Sequence, residues 1–166
     1  MGNLPIPLQK DGQIAHPTAG LITPTGPFWV QSQDGAITRA GWGPAPTDTD
    51  DPALRLALTE IAAYFAGTLT RFTVPLAPQA TGFQAQFLQA LIDIPFGQTR
   101  TYGQLGKHLG TPAQAIGQAC GANPIPLLIP CHRVLAAGNL GGFSGGQGVE
   151  TKVALLRHEG AGSLLL

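Results

Sequence analysis

Charge is scarce in this chain. Only 11% of its 166 residues are Asp, Glu, Lys or Arg, nine of each sign, so the formal net charge is zero. Such a chain has no overall electrostatic pull towards nucleic acid, and any contact with a polyanion must be made locally. Cysteine is nearly absent: Cys120 and Cys131 are the only two. That excludes a disulfide framework, and without a Cys-x-x-Cys pair or a spaced His/Cys cluster no metal and no metal cofactor are expected. No apolar run approaches the roughly 18 residues of a membrane span. Pro5 and Pro7 break the N-terminal stretch, which lacks the basic-then-apolar plan of a signal peptide. A reducing, cytoplasmic setting without membrane contact is the expectation.

What is present is enough apolar material for a core, 43% of residues, in a chain long enough for one domain or two small ones. The composition divides it into a supporting α/β part, 1–78, and a second part, 79–166. Residues 1–17 are rich in Pro, Gln and Gly and read as an arm. Ala19 to Thr23, Phe28 to Ser32 and Ala36 to Trp42 read as strands, the last two joined by the hairpin signal Asp34-Gly35. After a connection over Pro44 to Asp51, the signals Asp51, Pro52 and Gly67 predict a helix with Leu54, Ala57, Leu58, Ile61 and Phe65 on its apolar face. Phe72 to Leu76 reads as one more strand.

The second part is richer in signals. Three Thr-x-x-Gln pairs, Thr81 with Gln84, Thr101 with Gln104 and Thr111 with Gln114, read as capping boxes opening three helices, the last with Pro112 at its first position. Only Gly110 and Thr111 separate the second helix from the third, the spacing of a helix-turn-helix whose second helix enters a DNA groove. That helix has no Lys or Arg, which argues against strong phosphate contact through it. The charge is mildly lopsided: residues 1–82 hold four basic and six acidic side chains and 83–166 hold five and three, so a polyanion would be met by the second part. Six glycines fall within 138–148 around Phe143 and Ser144. No Gly-Lys-Ser/Thr follows, so a loop offering backbone N–H groups to a flat ligand is the better reading than a phosphate loop. Val149 to His158 reads as a final helix, with Val153 and Leu156 facing inward.

Between these lies Pro130-Cys131-His132-Arg133-Val134, delivered by a proline-bounded apolar triplet. About 3% of a free cysteine is thiolate at neutral pH, and a neighbouring imidazolium or arginine raises that fraction. Cys131 is thus the candidate nucleophile, with His132 beside it. Cys120 reads as a small packing residue.

Asn123-Pro124-Ile125-Pro126 running into Pro130-Cys131-His132-Arg133-Val134, then Gly141-Gly142-Phe143-Ser144-Gly145-Gly146 and His158-Glu159-Gly160, resembles the O-6-alkylguanine-DNA alkyltransferases. The resemblance is continuous over about 83–160. The first half matches only in order and size.

The resemblance implies a small ribonuclease-H-like α/β domain followed by a mostly α domain with a winged helix-turn-helix. The activity it implies is single-turnover repair of duplex DNA, in which O-6-alkylguanine (O-4-alkylthymine is left open) is flipped out and its alkyl group moves by SN2 attack to Cys131, with no cofactor. By the same resemblance His132 is the base acting through a water, Glu159 orients it, Tyr102 donates to the departing guanine and Asn123 ties the recognition helix to the active-site loop. Val134 and Ser144 hold the base edges through backbone groups, and Phe143 is a pocket wall. Ala115 and Gly117 belong to the DNA-reading helix, and Arg100 and Lys107 are candidates for phosphate contact, as are Arg133, Lys152 and Arg157, although Arg133 beside the thiol has an equally good structural reading. One-to-one action on DNA implies a monomer.

Gln114 stands where the family carries an arginine that fills the gap left by the flipped base. It lacks that charge and planar stacking, so weaker DNA affinity or slower flipping is expected. Two rivals fit parts of the chain: a module that binds the lesion without repairing it, and an ordinary thiol hydrolase using Cys131 and His132.

Overall fold

The computed structural model describes residues 16–161, so most of the expected N-terminal arm lies outside the described residues. The chain divides into two compact units between Pro78 and Gln79.

The first unit is a three-stranded antiparallel sheet in the order β1 (Thr18–Thr23), β2 (Gly26–Gln33), β3 (Ala36–Trp42), with helix α1 (Pro52–Phe65) against it. The β2–β3 turn has positive φ at both Asp34 and Gly35, the combination that a tight hairpin requires. Period-two alternation in β2 buries Phe28, Val30 and Ser32. Asp51 caps α1 by accepting from the Leu54 N–H at 3.0 Å, and its other oxygen accepts from the Ser32 hydroxyl at 2.9 Å, fastening helix to sheet. The buried stripe of α1 is Leu54, Ala57, Leu58, Ile61 and Tyr64. Tyr64, one residue before the expected Phe65, takes the last position, its ring 5.5 Å from that of Phe72.

The expected strand Phe72–Leu76 reduces to a single bridge, Ile37 to Leu76. Buried Glu60 on α1 takes the Thr73 and Val74 N–H groups, and Pro75 has none to offer, so the segment's donors are spent on a carboxylate rather than on a ladder.

The second unit holds α2 (Gly82–Ile92), β4 (Arg100–Thr101), α3 (Tyr102–Leu109), α4 (Ala113–Gly121), a 3-10 turn (Cys131–Arg133), β5 (Val134–Leu135) and α5 (Val149–His158), with β4 and β5 paired in parallel. Of the three expected capping boxes only Thr101–Gln104 forms, reciprocally, at 3.0 and 2.9 Å. Gln84 instead reaches the Ala119 carbonyl across to α4. Thr111 gives its N–H to Gly106 and its hydroxyl to Leu109, closing the end of α3. Pro112 therefore occupies the cap position, and α4 starts at Ala113, one residue later than read.

The α3–α4 turn depends on Gly106, where a Cβ would stand 2.4 Å from the Thr111 carbonyl oxygen. Between α4 and the 3-10 turn, buried Leu127 holds φ +74, a conformation costing a leucine of order 1–2 kcal/mol. The Ile129 N–H bond to the Ile125 carbonyl, at 2.9 Å, closes the loop around it. Helix α5 spans the expected residues, but its buried face is Thr151, Lys152, Leu155 and Leu156, with Val153 only half-buried.

Candidate active site

Cys131 opens the 3-10 turn behind Pro130 and is 7% exposed. It borders a cavity of about 380 Å³, within the range of small-ligand sites. Tyr102 from the start of α3 forms one wall, Gly117, Cys120 and Gly121 from α4 another, and Gly142, Phe143 and Ser144 from the glycine-rich loop a third. The sequence points to Cys131, Tyr102, Gly117, Phe143 and Ser144, and these do come together. Gln114, Ala115, Arg100 and Lys107 lie outside the lining; Gln114 and Lys107 are exposed, and Ala115 and Arg100 half-exposed. Val134 is wholly buried behind the turn.

A 3-10 turn sends successive side chains in different directions, so the residues after the thiol turn away from it. His132 Nε2 lies 2.8 Å from Glu159 Oε2. Arg133 grips the same carboxylate with Nε at 2.8 Å and Nη2 at 3.0 Å, and donates Nη1 to the Ile94 carbonyl at 2.6 Å. Arg133 is thus a buried structural cation and not a phosphate contact. Lys152 is buried too, 1% exposed, its ammonium donating to the Val134 carbonyl at 2.6 Å and the Gly142 carbonyl at 3.2 Å. Of the five basic residues of the second unit, Arg100, Lys107 and Arg157 remain for phosphates.

Asn123 lies just past the end of α4. Its amide donates to the Ile129 carbonyl at 2.9 Å while its oxygen accepts from the Ile125 N–H at 3.0 Å, joining that helix end to the loop that carries Cys131.

The electrostatics follow from burial. Burial pushes the Cys131 thiol up, with the Asn123 hydrogen bond and the Lys152 charge pulling the other way. Burial likewise holds His132 below its usual range, against the pull of Glu159. The sequence expectation of an imidazolium or guanidinium beside the sulfur is therefore corrected: His132 rests neutral, and Arg133 is neutralised by Glu159. For Glu159 burial acts to raise the carboxyl, but the hydrogen bonds from His132 and Arg133 and the guanidinium charge outweigh it and hold it well below the usual range. An ionised Glu159 accepts a hydrogen bond from Nε2–H, which leaves Nδ1 as the basic nitrogen. Nδ1 is buried and has no hydrogen-bond partner among the described residues.

Tyr102 is raised by burial first and by nearby Cys120, so its phenol stays protonated. Cys120 is pushed up to about 12 by burial and by Cys131. It is a cavity-wall thiol, unionised at neutral pH, rather than the packing residue its sequence setting suggests.

No group of three or more His, Cys, Asp or Glu side chains suited to a metal occurs among the described residues.

Comparison with known proteins shows the family. Residues 82–161 match the 6-O-methylguanine DNA methyltransferase DNA-binding domain, and residues 21–78 match the ribonuclease-like domain of the same proteins. The chain belongs to the methylated-DNA–protein-cysteine methyltransferase family. Family members from Mycobacterium tuberculosis and Salmonella typhimurium are each 40% identical to it, over 149 and 161 residues, covering 78% and 84% of this chain and 89% and 93% of theirs. The crystal structure of Mycobacterium tuberculosis OGT in complex with DNA superposes with a TM-score of 0.74 at 35% identity, covering 86% of this chain and 92% of that one. The architecture is that of the family: a ribonuclease-like domain with a small sheet and helix, then a helical DNA-binding domain.

Proposed function

We propose that this protein repairs alkylated guanine in duplex DNA in a single turnover, moving the alkyl group onto Cys131. The observation that carries the reading is a thiol at the wall of a half-open cavity, with an oriented neutral imidazole next to it in the chain and the two helices of a helix-turn-helix supplying two of the other walls.

Attack at an alkyl carbon needs a thiolate, and burial disfavours one at rest. His132 Nδ1 takes the thiol proton through a bridging water, because adjacent side chains on a turn do not face each other, and Glu159 stabilises the imidazolium that forms. The S–C bond forms as the C–O6 bond breaks, and the electron pair passes to guanine, where the Tyr102 phenol hydrogen-bonds the developing charge. Ser144 and the Val134 carbonyl, one of whose lone pairs is held by Lys152, meet the base edges, and Phe143 walls the pocket. Flipping costs a few kcal/mol and is least costly for a damaged base. Gln114, Ala115 and Gly117 present α4 to the DNA, with Arg100 and Lys107 available to phosphates.

The thioether is stable, so the protein is consumed and needs no cofactor. No described helix is long and apolar enough to cross a membrane. The reducing cytoplasm is the setting that supports a chemistry needing a free thiol. A lesion-binding module without repair is not favoured, since it has no use for an oriented base beside a thiol.

Mass spectrometry after incubation with methylguanine duplex tests the reading. A single methyl increment on the Cys131 peptide is expected, lost in Cys131→Ala; binding with unchanged mass would point to the rival. The His132 setting makes a further prediction. Its neutral form persists below its ordinary value of 6.5, so the transfer rate should hold down to that pH and fall only beneath it. Single-turnover rates between about pH 5 and 8 check this, and an acid limb centred above 6.5 would contradict it.

A further inference from the structure

The buried charges of the second unit do not balance. Arg133 and Glu159 cancel, and His132 is neutral. Lys152 has carbonyl oxygens as its partners and no carboxylate within ion-pair distance among the described residues. Burial holds its ammonium below the usual lysine range, while Cys120 and Cys131 act to raise it. The unit's other acidic groups are elsewhere: Asp93 is exposed and bonded to Gln89, and Glu150 is exposed at the start of α5. A buried ammonium with only dipoles around it is costly unless the site uses the charge.

The titratable groups around it are few. Cys120 and Cys131 line the same cavity as Gly142, whose carbonyl holds the ammonium, and both thiols and His132 lie near enough to feel its charge. Of these, Cys131 is the one that becomes an anion in the proposed reaction. The two carbonyls that hold Lys152 also matter, because Val134 ends the Cys-His-Arg turn and Gly142 belongs to the cavity's glycine wall.

We propose that Lys152 is the counter-charge of the Cys131 thiolate, a positioning residue that joins the catalytic turn to the glycine loop and supplies the field in which the sulfur gives up its proton. The proton passes from Sγ to His132 Nδ1; no other bond changes in this step. The proposal rests on Cys131 being the nucleophile. It gives α5 two tasks, with Glu159 at its end orienting the base and Lys152 in its first turn holding the catalytic turn and the glycine loop beside the sulfur.

The test uses the full chain without DNA. Alkylation of Cys131 by iodoacetamide is followed across pH by peptide mass spectrometry, which separates it from Cys120. In Lys152→Met the pH midpoint should rise by about one unit or more, the effect of losing an opposite charge close by. Lys152→Arg should restore most of it. A purely structural strap would lower the melting temperature of the methionine variant and leave its midpoint unmoved, which overturns the proposal; so does a midpoint raised equally in the methionine and arginine variants. Should the methionine variant not fold, Lys152→Gln, which keeps a donor for the carbonyls, decides by the same midpoint. Methyl transfer from duplex is measured alongside. If wild type takes no methyl the repair reading fails, while the thiol titration still decides the role of Lys152.

Discussion

Replacing Glu159 with alanine should destabilise the protein by about 3–5 kcal/mol, the penalty for removing one partner of a buried ion pair. Its side chain is fully buried, and that of Arg133 is only 8% exposed. Alanine would leave the guanidinium with the Ile94 carbonyl and the face of the Phe96 ring as partners and no opposite charge, and His132 without the acceptor that sets its tautomer. The measurement is the urea midpoint, and an alanine variant unfolding where wild type does would rule the argument out.

The pH dependence has a definite sign. A carboxyl held below its ordinary value of 4.5 contributes stability that is fully present above that pH and is lost as pH falls through the lower folded value. The gap between wild type and Glu159→Gln should accordingly be widest near neutrality and close progressively below about pH 4.5. Glutamine keeps an acceptor for Nε2, so it should retain more transfer activity than alanine.

Tyr102→Phe should slow alkyl transfer about 100-fold, the low end of what a positioned proton donor contributes. The ring and its cavity wall are kept and only the hydroxyl is lost, so DNA affinity measured separately should stay within a few-fold. The phenol stays protonated at neutral pH because burial raises it, which is the state a donor to departing guanine requires. Gly141→Ala should reproduce part of the loss. Its Cβ would stand 2.7 Å from the Tyr102 hydroxyl oxygen, at a φ of +71 that alanine resists. Single-turnover rates on methylguanine duplex decide; a phenylalanine variant within twofold of wild type would remove Tyr102 from the chemistry.

Much of the site was legible because its signals are local. Pro130 before Cys131, the Thr101–Gln104 box, the Gly110 break between two helices and the glycine run around Phe143 each act within a few residues, and each appears in the structure. Where reading failed, a side chain had a distant alternative. Gln84 left its cap for Ala119, 35 residues away, and Thr73 and Val74 left a ladder for Glu60, 13 and 14 residues back. Lys152 showed least of all. In sequence it is one basic residue on an exposed-looking helix, and no periodicity marks a lysine that points inward.

The chain alone marks Cys131 as the candidate nucleophile and shows where helices begin and turn and that the halves differ in kind, since caps, glycines and apolar periods act over one or two turns. The direction of His132 and Arg133, the burial of Lys152 and the place of Cys120 in a cavity wall belong to the tertiary structure. Those depend on Glu159, Val134, Gly142 and Tyr102 arriving from up to 27 residues away, and only packing decides which polar groups meet once water is gone.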